Sequence, residues 1–221
     1  MNYYVGIDLG GTNTKLGLVD ENGNIIFTTI VKTDSIEGFS QTVQRLSKIL
    51  MAQIENSNIK FNDVKSVGIG VPGPVLNNRI VKFWANFPWE NGVDLALEFE
   101  KNLGIPVKAD NDVNVITLGE MWQGAGQGYK NVLGIAIGTG IGGGIIVDGK
   151  LVSGLNGAGG EVGHIKIEHD GKLCGCGQKG CWEAYASATG IIREAQSRLL
   201  INKRNLLYEM TKGRDLEAKD V

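Results

Sequence analysis

The sequence has little net charge. Its 22 Lys and Arg residues nearly balance 24 Asp and Glu residues, which leaves a formal net charge of −2. A chain this close to neutral has no broad electrostatic attraction for nucleic acid or for an anionic membrane surface. We therefore expect no nucleic-acid partner and no membrane partner.

Long apolar runs are also missing. The longest uncharged apolar stretch, residues 132–147, contains six glycines and is too short to cross a bilayer. The N-terminus reaches a strand-like run at Tyr3 without a basic segment followed by an apolar one. We therefore expect no signal peptide and a cytoplasmic location.

Cysteine is scarce and clustered, because Cys174, Cys176 and Cys181 lie within eight residues. An odd number so close together makes a poor disulfide framework, and in a reducing compartment such clusters more often bind metal. With His164 they offer three thiolates and one imidazole, which suits a closed structural zinc site. His169 competes as the fourth ligand, and three buried free cysteines are the alternative to a metal.

Glycine, in contrast, is abundant, with 33 of 221 residues against a usual share of roughly 7%. This excess indicates tight turns or close approaches of backbone to a ligand. Two glycine-rich turns, 10–15 and 138–144, each follow a predicted strand. Backbone amides in such turns approach phosphate oxygens closely, so the pair is predicted to hold a nucleotide triphosphate.

The two turns differ in chemistry. The first offers the Thr12 hydroxyl and the Lys15 charge, and Asp8 could hold Mg²⁺ directly or through water. A tight hairpin with a surface lysine is the alternative. The second turn matches GxGxxG, but a strand and not a helix follows it, so a Rossmann site is rejected. Neither turn has the spacing of a Walker P-loop.

The turns belong to an internal repeat. A shift of 128 residues aligns the strand, glycine turn and strand of 5–20 with those of 133–148. Two similar domains, 1–123 and 124–221, are therefore predicted, with the glycine-rich connector 124–128 as the hinge. The alternative is that glycine-rich hairpins simply look alike.

Hydrophobic periodicity and turn residues predict the remaining elements. Besides the two repeated hairpins, strands are predicted at 25–31, 66–71 and 106–109, and helices at 38–57, 95–103, 113–122, 187–201 and 204–212.

Asp110, Asn111 and Asp112 lie where a predicted strand meets a helix. Two acids and an amide at such a point suit substrate hydroxyls, and a carboxylate there can accept a hydroxyl proton during phosphoryl transfer. Helix capping is the alternative, since Asp and Asn are favoured N-cap residues. The two phosphate turns favour the catalytic interpretation.

In chain order these motifs resemble the ROK family, which comprises bacterial-type glucokinases, N-acylhexosamine kinases and sugar-responsive repressors. The resemblance is carried by segments 8–12, 70–74, 111–112, 138–144, 160–164 and 174–183. It implies an α/β, actin-like and ribonuclease-H-like ATPase fold, with two similar α/β domains around a cleft and a small zinc-binding loop.

Carried over position by position, the resemblance implies that Asp112 is the general base for the sugar 6-hydroxyl. The other implied sugar-binding residues are Gly73, Asn111, Glu161, His164 and Glu183, of which His164 is also a zinc ligand. The implied ATP and Mg²⁺ site comprises Asp8, Gly10, Gly11, Thr12, Lys15, Gly138, Thr139 and Gly140.

The resemblance implies ATP-dependent phosphorylation of a hexose, with glucose as the expected substrate, and a homo-oligomer. N-acetylmannosamine or another hexose is the alternative substrate, and a non-catalytic sugar sensor is the alternative of another class. Three departures stand out. Residues 84–87 read Trp-Ala-Asn-Phe where the family often has Ala-Pro-Asn-Leu, and the chain is shorter than most members. No helix-turn-helix domain precedes Met1, so DNA binding is not expected.

Overall fold

Strands and helices alternate in the computed structural model, which describes residues 1–84 and 86–221. The strands are β1 (Tyr3–Leu9), β2 (Asn13–Asp20), β3 (Ile25–Lys32), β4 (Val64–Val71), β5 (Val75–Leu76), β6 (Ile80–Val81), β7 (Val93–Asp94), β8 (Val107–Asn111), β9 (Val132–Ile137), β10 (Ile141–Val147) and β11 (Lys150–Leu151). The helices are α1 (Phe39–Asn56), α2 (Leu95–Leu103), α3 (Asp112–Gln123), α4 (Glu183–Ala186), α5 (Ala188–Ile201) and α6 (Leu206–Thr211). None of these described helices is both long and apolar enough to cross a membrane.

A five-stranded mixed sheet has the order β3-β2-β1-β4-β8. Strands β1, β2 and β3 form an antiparallel meander, whereas β4 runs parallel to both β1 and β8. Because β1, β4 and β8 point the same way, their carboxyl ends meet at one edge of the sheet, where α/β proteins commonly bind ligands. That edge leads into the first glycine turn, the 72–74 loop and Asp112.

One face of this sheet forms the hydrophobic core. Buried and exposed residues alternate along β1, as expected for a strand with one buried face. Helix α1 contributes Val43, Leu46, Leu50 and Ile54 at helical spacing, and α2 contributes Phe99; all are fully buried. Each such side chain contributes about 1.5–3 kcal/mol through removal of apolar surface from water.

Helix α3 packs against the five-stranded sheet and also against the antiparallel sheet β11-β10-β9. Gly134 and Gly144 face each other across β9 and β10, and a methyl group on either would overlap the Thr117 side chain of α3. Part of the glycine excess therefore serves close packing of a helix on a sheet.

Most predicted elements are confirmed within a few residues. In the second copy of the repeat, however, the strand after the glycine turn (β10) begins at Ile141 and not at Gly144. Part of the predicted phosphate turn therefore lies inside β10. The repeat is confirmed as two hairpins, but Leu9 faces Thr14 whereas Ile137 faces Ile141, which makes the second turn one residue shorter. The division into domains at residue 123 stays a prediction.

A third sheet, β5-β6-β7, was not predicted, because its strands are only two residues long. Its first two strands form a hairpin that follows the 72–74 loop. This hairpin lies beside β8, the strand that directly precedes the predicted base Asp112.

Candidate active site

Asp112 is the first residue of α3 and directly follows β8. Its neighbour Asn111 is the N-cap, and its Oδ1 accepts hydrogen bonds from the amides of Val113 (2.9 Å) and Asn114 (3.3 Å). The Asn111 Nδ2 donates to the Gly73 carbonyl oxygen at 3.4 Å. Asn111 therefore caps the helix, and Asp112 lies in its first turn.

The prediction that both Asp110 and Asp112 serve substrate hydroxyls is wrong for Asp110. Asp110 is buried, and its carboxylate accepts hydrogen bonds from Asn78 Nδ2 (3.0 Å), Asn114 Nδ2 (2.8 Å) and the Asn111 amide (2.8 Å). Asp110 is not available to a substrate, because its carboxylate oxygens already accept hydrogen bonds from within the protein.

Two cavities meet at Asp112, which is the residue that their described linings share. The smaller has a volume of about 300 Å³ and contains Asp8 and Lys15, which face each other across β1 and β2. The larger has a volume of about 810 Å³. A carboxylate in this position can reach groups in either cavity.

The pKa of Asp112 is raised above its ordinary 3.8, chiefly because burial disfavours the charged form. The carboxylates of Asp8 and Glu161 raise it further, while a hydrogen bond from the Val113 amide acts in the opposite direction. A carboxylate with a raised pKa binds a proton more readily, as a general base must.

The larger cavity gathers all the residues predicted to bind sugar. Its lining includes Gly73, Asn111, Asp112, Glu161, His164 and Glu183. Pro72, Pro74, Phe83, Asn86 and Ala158 also line it. Of these, Phe83 is about half exposed, and no sequence pattern marked it. Residues 84–87, which differ from the usual family sequence, therefore reach this cavity through Asn86. Ala85 is outside the described residues.

The two predicted phosphate turns line different cavities: Lys15 of the first turn lines the smaller one, and Gly138, Thr139 and Gly140 of the second turn line the larger one. Gly10 and Gly11 of the first turn pack against other segments. Thr33 donates from its hydroxyl to the Gly10 carbonyl at 2.6 Å, and a methyl group on Gly11 would lie 2.8 Å from the Asn86 carbonyl oxygen. The structure therefore does not bring both turns into one cavity.

Glu183 is the first residue of α4, and its side chain contacts the second glycine turn. Its Oε2 accepts a hydrogen bond from the Ile141 amide at 3.0 Å, and a methyl group on Gly140 would overlap the same oxygen. Its Oε1 accepts a hydrogen bond from the Cys174 thiol at 3.4 Å. Glu183 thus connects the cysteine cluster with the glycine turn.

His164, Cys174, Cys176 and Cys181 bring their ligand atoms within 4.8 Å of one another. A tetrahedral zinc with bonds of about 2.3 Å to sulfur would separate two sulfurs by about 3.8 Å. The Cys176 and Cys181 sulfurs are 3.7 Å apart, and Cys174 Sγ lies 3.7 Å from His164 Nδ1. The donor set fits a zinc ion.

The competing ligand, His169, lies outside this cluster; its side chain is 96% exposed and contacts Asp170. Burial raises the pKa of the Cys174 thiol to about 12, so its thiolate form requires a nearby positive charge. A bound cation would supply that charge.

The two ring nitrogens of His164 face different partners. Nδ1 points toward Cys174, and Nε2 lies 3.8 Å from Glu161 Oε2 beside the larger cavity. A histidine whose Nδ1 binds a metal carries its proton on Nε2. One side chain can therefore serve the metal cluster and the cavity together.

Residues 4–221 match the ROK family model. The chain belongs to the ROK family. Its α/β fold is also that of a solved ROK family glucokinase from Streptomyces griseus, determined in complex with glucose and AMPPNP. The two are 37% identical with a TM-score of 0.80, and the match covers 99% of this chain and 69% of that one.

Relatives of known activity include the glucokinase of Thermotoga maritima, which is 37% identical over 93% of this chain and 64% of its own length. The N-acetyl-D-glucosamine kinase of Pectobacterium atrosepticum is 34% identical over 85% of this chain and 63% of its own length. The chain thus spans a little under two thirds of these curated relatives.

Proposed function

We propose that this protein phosphorylates a hexose at the 6-hydroxyl, using ATP, with glucose as the substrate. The observation that carries the proposal is the position of Asp112, half-buried in a cavity that also holds Glu161, His164 and Glu183. The similarity to glucokinases over most of the chain supports glucose.

Asp112 acts as the general base. Its carboxylate takes the proton of the sugar 6-hydroxyl as that oxygen attacks the γ-phosphorus of ATP, and ADP leaves with the electrons of the broken bond. Because burial raises the pKa of Asp112, the carboxylate accepts this proton more readily than an exposed aspartate would.

Polar groups around the base hold the sugar. The carboxylate of Glu161 accepts hydrogen bonds from sugar hydroxyls, and His164 Nε2 donates one. The Cys174 thiol donates to Glu183 Oε1, and this oxygen would be free to accept from a sugar hydroxyl if Cys174 held a metal as a thiolate. Asn111 offers its Nδ2, and the Gly73 loop closes the wall behind it.

The phosphates of ATP lie on the glycine turns. The backbone amides of Thr139 and Gly140 donate to phosphate oxygens, whereas the Gly138 amide donates to the Gly140 carbonyl at 2.9 Å and shapes the turn. The turn at 10–12 approaches from the other half when the cleft closes. Lys15 adds a positive charge. Asp8 offers carboxylate oxygens to Mg²⁺, which neutralises phosphate charge when bound. This arrangement corresponds to two actin-like domains around a cleft.

His164, Cys174, Cys176 and Cys181 hold one structural zinc ion. Four protein ligands fill a tetrahedral shell and leave no position for an activated water, so the metal takes no part in the reaction. What it supplies is rigidity in the loop that presents His164 and Glu183 to the sugar.

Two alternatives rest on specific similarities. N-acetyl-D-glucosamine kinases are related at 34–37% identity, so an acylated amino sugar, N-acetylmannosamine included, competes with glucose. A ROK family transcriptional regulator, described as a homolog of E. coli MLC, has a TM-score of 0.83 at 26% identity, which favours a non-catalytic sugar sensor as the second candidate.

A sugar panel tests the proposal. Glucose, mannose, N-acetylglucosamine and N-acetylmannosamine are each mixed with the protein, ATP and Mg²⁺, and ADP release is followed beside direct sugar binding by calorimetry. Binding and ADP release should both be strongest with glucose. Binding without ADP release would favour the sensor. The family resemblance also suggests a homo-oligomer, which sedimentation of the purified chain would test.

A further inference from the structure

The loop between β11 and Glu161 touches the other half of the molecule. Gly157 in this loop lies against the backbone of Val75 in β5: a methyl group there would overlap the Val75 carbonyl oxygen and lie 2.9 Å from its carbonyl carbon. Only a residue without a side chain permits this approach.

Val75 is itself held close to the catalytic strand. It belongs to the β5–β6 hairpin, whose turn residue Asn78 accepts a hydrogen bond from the Ala109 amide at 2.8 Å. The Asn78 side chain also donates to the buried Asp110 carboxylate at 3.0 Å. The surface that Gly157 touches is therefore anchored next to Asp112.

The other end of the loop carries the sugar-binding groups. Gly160 packs on Gly143 of β10 so closely that a methyl group would overlap the Gly143 carbonyl oxygen. Glu161 follows at once, and His164 ends the next short helical turn. The position of Glu161 in the larger cavity is thus set by contacts on both sides, with Gly157 on one and Gly160 on the other.

We propose that Gly157 is a positioning residue for sugar binding: its contact with Val75 holds the 154–160 loop so that Glu161 and His164 face the sugar. This role rests on the proposed function. It predicts that disturbing the contact weakens sugar binding, while the transfer step at saturating sugar is less affected, because Asp112 lies on the anchored side.

Backbone strain is the competing explanation for any Gly157 variant, since its φ is +75°. The chain provides a matched control. Gly149, in the turn between β10 and β11, also has a φ of +75°, but a methyl group there would have no atom within 4 Å among the described residues. Gly157→Ala and Gly149→Ala share the strain, and only the first adds the clash with Val75.

The test compares glucose binding by calorimetry in the unchanged chain, Gly157→Ala and Gly149→Ala, beside metal content and, where turnover is measurable, KM and kcat. Gly157→Ala is expected to weaken glucose binding by about tenfold or more, with KM rising more than kcat falls and metal retained. Gly149→Ala is expected to bind as the unchanged chain does. Equal glucose affinity in the two variants would overturn the role of Gly157.

If Gly157→Ala does not fold, hydrogen exchange on the unchanged chain tests whether the contact between Gly157 and Val75 responds to sugar. Glucose should slow amide exchange in 73–78 and in 154–161 together, because the two segments share the contact. Slowing in only one of them would overturn the inference. Failure of the unchanged chain to bind any hexose would instead refute the proposed function, and with it the role of Gly157.

Discussion

At the residue scale, Asp110 and Asp112 are two positions apart but have opposite surroundings. Asp110 is buried with three hydrogen-bond donors around its carboxylate. Asp112 starts a helix between two cavities, and burial together with neighbouring carboxylates raises its pKa. The first position favours a stable structure, and the second favours chemistry.

Asp112→Asn is expected to lower kcat by about 10²–10⁴-fold, because the amide cannot take the hydroxyl proton. Sugar affinity should stay within a few-fold of the unchanged chain, since the two side chains have nearly the same shape. Steady-state ADP release and glucose calorimetry measure the two effects. A variant that kept more than about a tenth of the original kcat would show that Asp112 is not the base.

The same variant should raise stability, and the gain should depend on pH. Folding raises the pKa of Asp112 above 3.8, so the folded state loses stability as pH rises through the folded pKa and the carboxyl ionises. Asparagine never ionises. Urea unfolding should therefore show a larger advantage for Asp112→Asn at pH 8 than at pH 4.

Asp110→Asn is the control for that measurement. It replaces a carboxylate that accepts from Asn78 and Asn114 with an amide that offers its own donors to them, so it should destabilise the fold by about 1–3 kcal/mol. A pH-independent gain for Asp112→Asn, or a gain for Asp110→Asn, would contradict the assignment of their environments.

At the scale of an element, the segment that carries the three cysteines connects the proposed metal site with the proposed sugar site. His164 faces the cluster with one nitrogen and Glu161 with the other, and Glu183 lies between Cys174 and the second glycine turn. Loosening the cluster should therefore displace groups on two walls of the cavity at once.

Cys176→Ala is expected to lose the metal and to weaken both thermal stability and glucose affinity. Zinc content by mass spectrometry, the melting temperature and glucose calorimetry are measured together. His169→Ala, at an exposed histidine outside the cluster, should leave all three unchanged. Glu161→Gln should weaken sugar binding and keep the metal. Full glucose affinity in a metal-free Cys176→Ala protein would separate the metal from the sugar site.

At the scale of the whole molecule, the two halves are proposed to move as bodies, 1–123 and 124–221, with 124–128 near the hinge. Helix α3 packs on both sheets, so it is the element across which any movement must pass. Of the first glycine turn, Lys15 lines the smaller cavity, whereas Gly10, Gly11 and Thr12 line neither of the two cavities at Asp112. The first turn must therefore approach the second before both can hold one ATP.

Glucose should therefore make the protein more compact, because closure brings the two turns together and excludes water from the reacting groups. Small-angle scattering is expected to show a smaller radius of gyration with glucose than without it. Glu161→Gln, at the same glucose concentration, should show less change. An unchanged radius in the sugar-bound protein would argue against closure.

The sequence by itself determined the elements and the local clusters. Helix α2 lies at 95–103 and β9 at 132–137, as predicted, because helix and strand periodicity depend on neighbours a few residues away. The cysteine cluster could likewise be predicted from the sequence, because its three cysteines lie within one short segment. The residues proposed to bind sugar could be named from the sequence only because the family motifs are specific.

Only the tertiary structure decided which residues work together. It brings His164 and not His169 to the cysteines, and it gives Asp110 and Asp112 different surroundings. It also shows that Gly144, predicted as part of a phosphate turn, makes room for Thr117 of helix α3. It also placed the 154–160 loop against β5. The physical reason is that these outcomes depend on packing between segments far apart in the chain, whose contacts no local spacing encodes.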